Sequence, residues 1–137
     1  MKNKKQQIGV LAILKHKDKY LLVKRHPKSR YEGGKWGFVG EKIEFGESPE
    51  ETVKRGVKEE LDIVLKDFEF FNIYSGVWEI DDEIKHVILI AFLKEVDNLS
   101  IKINSELEEF AWLTIPEARK KDLIKNTDKI LSDLETS

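Results

Sequence analysis

One helix start constrains this chain more than any other local feature. Ser48-Pro49-Glu50-Glu51 places an N-cap serine, a proline at the first helical position and a glutamate that closes a capping box. Val53, Val57 and Leu61 then recur every fourth residue, which predicts a helix from Pro49 to about Leu61 with one apolar stripe. β-type segments surround it. Ile8 to Leu14 is almost continuously apolar, as a strand buried on both faces would be. Further strands are predicted over Tyr20–Lys24, Trp36–Val39, Phe68–Tyr74, Val77–Ile80, His86–Leu93 and Glu108–Leu113. Gly40 to Gly46 reads as an irregular connection, and His16 falls in a turn. Thr114-Ile115-Pro116-Glu117 resembles a second helix start, and Asp122 to Leu134 reads as an amphipathic helix. Strands, then a helix, then strands, then helices favour a mixed α+β fold with helices on the faces of one sheet.

The 137 residues suit a single domain, 1–137, with no internal repeat or linker. A formal net charge of −2 gives no electrostatic case for nucleic acid or an anionic membrane. No apolar run reaches the length of a membrane span, and no signal-peptide pattern follows the basic N-terminus, so a cytoplasmic protein is expected. Cysteine is absent, which leaves carboxylates, histidine, lysine or a bound metal for any catalysis.

Gly40 to Ile63 concentrates carboxylates: Glu41, Glu44, Glu47, Glu50, Glu51, Glu59 and Glu60, with Lys42, Lys54, Arg55 and Lys58 among them. Glu59 and Glu60 lie about 100° apart around a helix, so both flank one edge of it. Arg55 precedes Glu59 by one helical turn. Close carboxylates repel unless a cation sits between them, and hard oxygen donors suit Mg²⁺ or Mn²⁺. Glutamates are also common on solvated helix faces, so the pair alone is weak evidence for a site.

The loop ahead of the helix shifts that balance. Glu47, Arg55, Val57, Glu59, Glu60 and Ile63 stand in the spacing of the Nudix box, in which a glycine, five residues, a glutamate and seven residues precede Arg-Glu-aliphatic-x-Glu-Glu-x-Gly-aliphatic. Lys42-Ile43-Glu44, Gly46 to Glu50, Trp36 and Trp112-Leu113 also match common features of that family. The chain therefore resembles a MutT-like Nudix hydrolase from its first strand to about Ala118. The resemblance implies an α/β/α sandwich around a mixed sheet, and cleavage of a pyrophosphate linkage in a nucleoside diphosphate derivative by a metal-activated water. It implies Glu59 and Glu60 as metal ligands for Mg²⁺ (or Mn²⁺), and Glu47 and Arg55 as the pair bracing the loop. It also implies a nucleotide-like small-molecule substrate. Family members are often dimers, and the exposed face of Phe68–Tyr74 is one candidate surface for a homodimer.

Three positions depart from the signature. Glu41 stands for the opening glycine but keeps the carbonyl that the family turns toward the metal, so it is counted with the metal ligands. Asp62 replaces the glycine after Glu-Glu, where a left-handed conformation is expected. Gly56 replaces the glutamate after the arginine, which removes a carboxylate one turn before Glu59 and Glu60. A glycine inside a helix also costs ~1 kcal/mol relative to alanine. Two readings stand: a hydrolase whose base comes from Glu44, Glu106, Glu108 or Glu109, or a Nudix-fold protein that binds a nucleotide and hydrolyses it poorly. Gly56→Glu is expected to raise activity if the lost carboxylate is limiting. On the substrate side, Lys24, Arg25, Arg30 and Lys35 are candidates for phosphate. Tyr31, Phe45 and Trp78 are candidates for stacking on a base, although aromatics on strands are more often core. His26 and His86 carry no motif, and His86 reads as structural.

Overall fold

The structure, a computed structural model, describes residues 1–137. Its elements are β1 (Asn3–His16), β2 (Lys19–Arg25), β3 (Trp36–Gly37), β4 (Val39–Lys42), α1 (Pro49–Leu61), β5 (Glu69–Ile80), β6 (Glu83–Glu95), β7 (Leu107–Leu113), α2 (Ile115–Arg119) and α3 (Thr127–Glu135). β1 runs parallel to β6 from Asn3 to Lys15, and every other pairing between the named strands is antiparallel. The main path is β3-β2-β1-β6-β5, with β7 on β2 and β4 on β1. β1 and β2 pair only at Lys15–Tyr20 and His16–Lys19. Beyond that they part, and the segment from Trp36 to Lys42 fills the gap, pairing first with β2 and then with β1. That insertion brings β4 beneath the carboxylate helix.

Alternation along the central strands sends side chains to two cores. Val10, Ala12, Leu14, Leu21 and Val23 pack with Val53, Val57 and Leu61 of α1. Ile13, Tyr20 and Leu22 face the other way, onto Ala118, Ile130, Leu131 and Leu134 of α2 and α3. The result is the α/β/α sandwich with a mixed sheet. No helix is long and apolar enough to cross a membrane.

Several boundaries differ from the sequence reading. Phe68–Tyr74 and Val77–Ile80 are one strand, β5, which continues through Ser75-Gly76 and carries a bulge between Phe70 and Asn72. The strand expected over Trp36–Val39 breaks and resumes as β4 to Lys42, because Val39 to Lys42 finds a partner edge on β1. Ile8 is half exposed, whereas Val10 and Ile13 are buried. His16 closes β1, and the turn begins at Lys17, which takes φ 56°. The C-terminal helix starts only at Thr127. Before it, Ile124 donates its N–H to the Trp36 carbonyl, and Asn126 sits at φ 75°. Phe70, Ile73 and Val77 of β5 are exposed apolar side chains on the surface named above as a candidate dimer face.

Candidate metal and phosphate site

Helix α1 begins as its sequence dictates. The Ser48 hydroxyl accepts from the Glu51 N–H, and the Glu51 carboxylate accepts from the Ser48 N–H, each at 3.2 Å. The helix ends at Asp62, which adopts the left-handed φ 56° and receives Lys58 Nζ at 2.9 Å.

Arg55 is the hub of the loop. Its Nε donates to Glu47 Oε2 at 2.8 Å, and its Nη2 to Glu47 Oε1 at 3.0 Å and to the Lys42 carbonyl at 2.8 Å. Glu47 also accepts from the buried Thr52 hydroxyl at 2.7 Å and from the Glu44 N–H at 3.2 Å. The Glu47 carboxylate thus ties loop to helix, and Arg55 extends the tie to the strand end at Lys42. The Arg55 guanidinium and the Thr52 hydroxyl hold the Glu47 carboxyl down at about 2, against an ordinary 4.5. Because the folded value is the lower one, the brace stabilises the protein above pH 4.5 and is lost as pH falls toward 2. Glu47→Gln is expected to flatten this acid limb of stability, read as the difference in urea midpoint between pH 6 and pH 3. An unchanged difference would reject the brace.

Beside the brace lies a cluster of carboxylates. Glu60 belongs to the sheet-facing stripe of α1, with Val53, Gly56, Val57 and Leu61, and is only 5% exposed. Its Oε2 atom is buried without a hydrogen-bond partner. Burial, and then the neighbouring Glu41, Glu106 and Glu59 carboxylates, push its carboxyl up to about 8. Glu59 projects from the rim, with its side chain half exposed, and pairs with Arg55 Nη1 at 3.4 Å. Glu41 extends from β4, outside the left-handed region, so its side chain adds no backbone strain. Its carboxyl is raised chiefly by burial and lies 3.6 Å from Arg55 Nη1. No three carboxylates or histidines converge as a ready-made cage. That is compatible with Mg²⁺, which takes one or two protein carboxylates and completes its octahedron with water and phosphate oxygens. An orphaned buried carboxylate oxygen with hard-oxygen neighbours fits such an ion. Arg25 offsets only part of the cost of charging this buried carboxyl, whose value remains raised.

Two adjoining clefts open next to the cluster and share Arg25, Phe38 and Gly40. One, of about 320 Å³, is lined by Glu60, Glu106, Arg25 and Arg30. The other, of about 270 Å³, runs from Glu41 and Lys42 past Arg25, Lys85 and Lys125 to Tyr31 and Trp78. Lys85 Nζ lies 4.5 Å from the Tyr31 ring centroid, and Lys125 Nζ 4.9 Å from that of Trp78. Trp78 Nε1 is buried and unpartnered.

The residues expected on the substrate side divide accordingly. Arg25, Arg30, Tyr31 and Trp78 line the clefts. Lys24 is instead engaged by Glu108 and Glu109 of β7, so none of those three lines either cleft. Lys35 faces Glu32, and Phe45 is fully exposed away from both clefts. His86 meets Gln6, as a structural residue would. Of the proposed substitute carboxylates, Glu106 lines the same cleft as Glu60 and raises its carboxyl, and Glu44 stands 3.8 Å from Arg55. Sequence reasoning missed Lys85, Lys125 and Thr52. Nothing local separates these from the other lysines and threonines, because the sheet register alone brings them to the site.

The chain is similar to known proteins in both sequence and fold. A family model for the NUDIX domain matches residues 4–134. The nucleoside triphosphatase NudI of Escherichia coli is 27% identical over 139 residues, covering 93% of this chain and 95% of that protein. The crystal structure of a MutT protein from Methanosarcina mazei superposes with a TM-score of 0.81 at 26% identity, covering 97% of this chain and 95% of that one. The NUDIX domain of Shewanella oneidensis NrtR, solved with ADP ribose, gives a TM-score of 0.80 at 19% identity, covering 96% and 87%.

Proposed function

The chain belongs to the NUDIX domain family, and from that premise we propose that it is a divalent-metal-dependent pyrophosphohydrolase acting on a nucleoside triphosphate or a related nucleoside diphosphate derivative. The observation that carries the reading is the buried, unpartnered carboxylate oxygen of Glu60, a residue that lines one cleft with Glu106, Arg25 and Arg30 and feels the Glu41 and Glu59 carboxylates. Glu59 and Glu60 are the side chains assigned to Mg²⁺ or Mn²⁺, with the Glu41 carbonyl beside them. The bound cation supplies charge neutralisation on the phosphates and activation of the attacking water.

The chain's own residues do the rest. Arg55 and Glu47 hold the loop so that Glu59 keeps its angle to the cleft. Arg25, Lys42 and Lys85 offer positive charge to the phosphate chain. Burial pushes the Lys85 ammonium down, so phosphate at that cleft gains a poorly hydrated, strongly attracting partner. The Trp78 and Tyr31 rings flank the far end, and Trp78 Nε1 offers a free donor to a base or ribose. Glu106, in the same cleft as Glu60, is the side chain assigned to take a proton from water. The triphosphate preference draws on the likeness to NudI, whose name states that class.

The experiment is product release from nucleoside triphosphates, nucleotide sugars, ADP-ribose and dinucleoside polyphosphates with Mg²⁺ or Mn²⁺. Metal-dependent release of a nucleoside monophosphate product is expected. Metal binding without turnover on the whole panel would favour the binding-protein reading.

A further inference from the structure

The glycine inside α1 has a structural cause. A Cβ placed on Gly56 would lie 2.8 Å from Glu41 Cβ and 3.4 Å from its Cγ. The obstacle is the fixed base of the Glu41 side chain, which rises from β4 into the hole that the glycine leaves in the helix. Burial of Glu41 and its interaction with the Glu59 carboxylate both raise its carboxyl, and the Glu41 carboxylate is the largest charged influence on buried Glu60. The two departures from the signature are therefore halves of one change. A carboxylate is missing from the helix where a carboxylate from the strand fills the space, and a glycine is missing from the strand where the helix has become a glycine.

Resting on the reading of the site as a cation site, we propose that positions 41 and 56 are exchanged. The Glu41 side chain, beyond its carbonyl, supplies from the strand the metal-facing carboxylate that α1 lacks at position 56. The unpartnered Glu60 Oε2, nine-tenths buried, gives that cluster its ligand-seeking atom. Glu41 thereby replaces the metal-facing carboxylate, and the proton-accepting part stays with Glu106. It also follows that Gly56→Glu alone does not raise activity, because the restored side chain collides with Glu41.

The test has a steric arm and a metal arm. Alanine is a better helix former than glycine. In the Glu41→Gly background, Gly56→Ala should therefore raise the thermal midpoint, whereas in the wild type the collision reverses the sign and lowers it. Neighbouring sites that share space are expected to be non-additive in this way. In the metal arm, Mn²⁺ affinity is measured by calorimetry on wild type, Glu41→Gln and Glu41→Gly/Gly56→Glu. Glu41→Gln keeps the shape and should lose roughly tenfold or more in affinity, while the double variant should recover it. Should the double variant fold poorly, Glu41→Gln and the alanine pair still decide the matter. A higher midpoint for Gly56→Ala in the wild type, or unchanged Mn²⁺ affinity in Glu41→Gln, overturns the exchange. Absence of Mn²⁺ binding by the wild type itself would instead overturn the cation site on which the exchange rests.

Discussion

Glu60→Gln is expected to melt higher than the wild type at pH 9 with divalent ions chelated, and to lose divalent-metal binding at the same time. The carboxyl of Glu60 is 5% exposed, has an unpartnered oxygen and is raised to about 8 from an ordinary 4.5. The folded value is the higher one, so the native state retains a proton that the unfolded chain releases. Below pH 4.5 both states are protonated and Glu60 costs nothing on this account. As pH rises through 4.5 toward 8 the penalty grows, and above about 8 it is complete. Glutamine removes the charge and with it the repulsion from Glu41, Glu106 and Glu59. A gain of roughly 5 °C at pH 9, shrinking toward nothing at pH 4, is the expected signature. Stability set aside for function in this way is a common trade at active sites. A lower midpoint at pH 9, or metal affinity equal to the wild type, would contradict the assignment.

The second large effect belongs to Arg55. Its guanidinium meets Glu41, Glu44, Glu47 and Glu59 at distances from 2.8 to 3.8 Å and also caps the Lys42 carbonyl. Arg55→Met keeps much of the aliphatic stem but leaves four carboxylates facing one another without their cation. Arg55 is 23% exposed in its side chain. Solvent therefore softens the loss below the 3–5 kcal/mol of a fully buried pair, to about 1–3 kcal/mol. The Glu47 carboxyl should also return toward its ordinary value, removing the acid-sensitive limb described above. With the loop unbraced, Glu59 loses its fixed orientation, and turnover should fall roughly 10–100-fold, as when other partners that orient metal ligands are removed. Arg55→Lys should rescue little, since an ammonium cannot reproduce the two parallel bonds to Glu47. Full activity in either variant would mean that the brace is dispensable.

The α1 region was legible because its signals are local. The capping box at Ser48 and Glu51, the four-residue spacing of Val53, Val57 and Leu61, and the left-handed end at Asp62 all appear in the structure where the sequence places them. The β5 strand was not, since Ser75-Gly76 has the composition of a turn and only pairing with Ile88 and Val87 of β6 keeps it extended. The C-terminal helix was read too long because Leu123 and Ile124 fit an amphipathic pattern. They are spent instead on the Trp36 strand, which nothing local announces. At the site, Glu60 was placed on the rim with Glu59, although its spacing from Val53 and Val57 puts it in the buried stripe. That clue was present in the sequence. The meeting of Glu41 with Gly56 was not, because it depends on how β4 lies under α1. Read along the chain, the two substitutions look like separate losses.

Metal-dependent pyrophosphate cleavage at this site is decided by comparing wild type and Glu59→Gln on the same nucleotide panel. Products are identified with Mg²⁺ present and with it chelated. Mg²⁺-dependent release of a nucleoside monophosphate by the wild type is expected, with its loss in Glu59→Gln at unchanged thermal midpoint, since Glu59 is half exposed and carries little of the fold. Turnover that survives chelation, or that Glu59→Gln leaves intact, would contradict it.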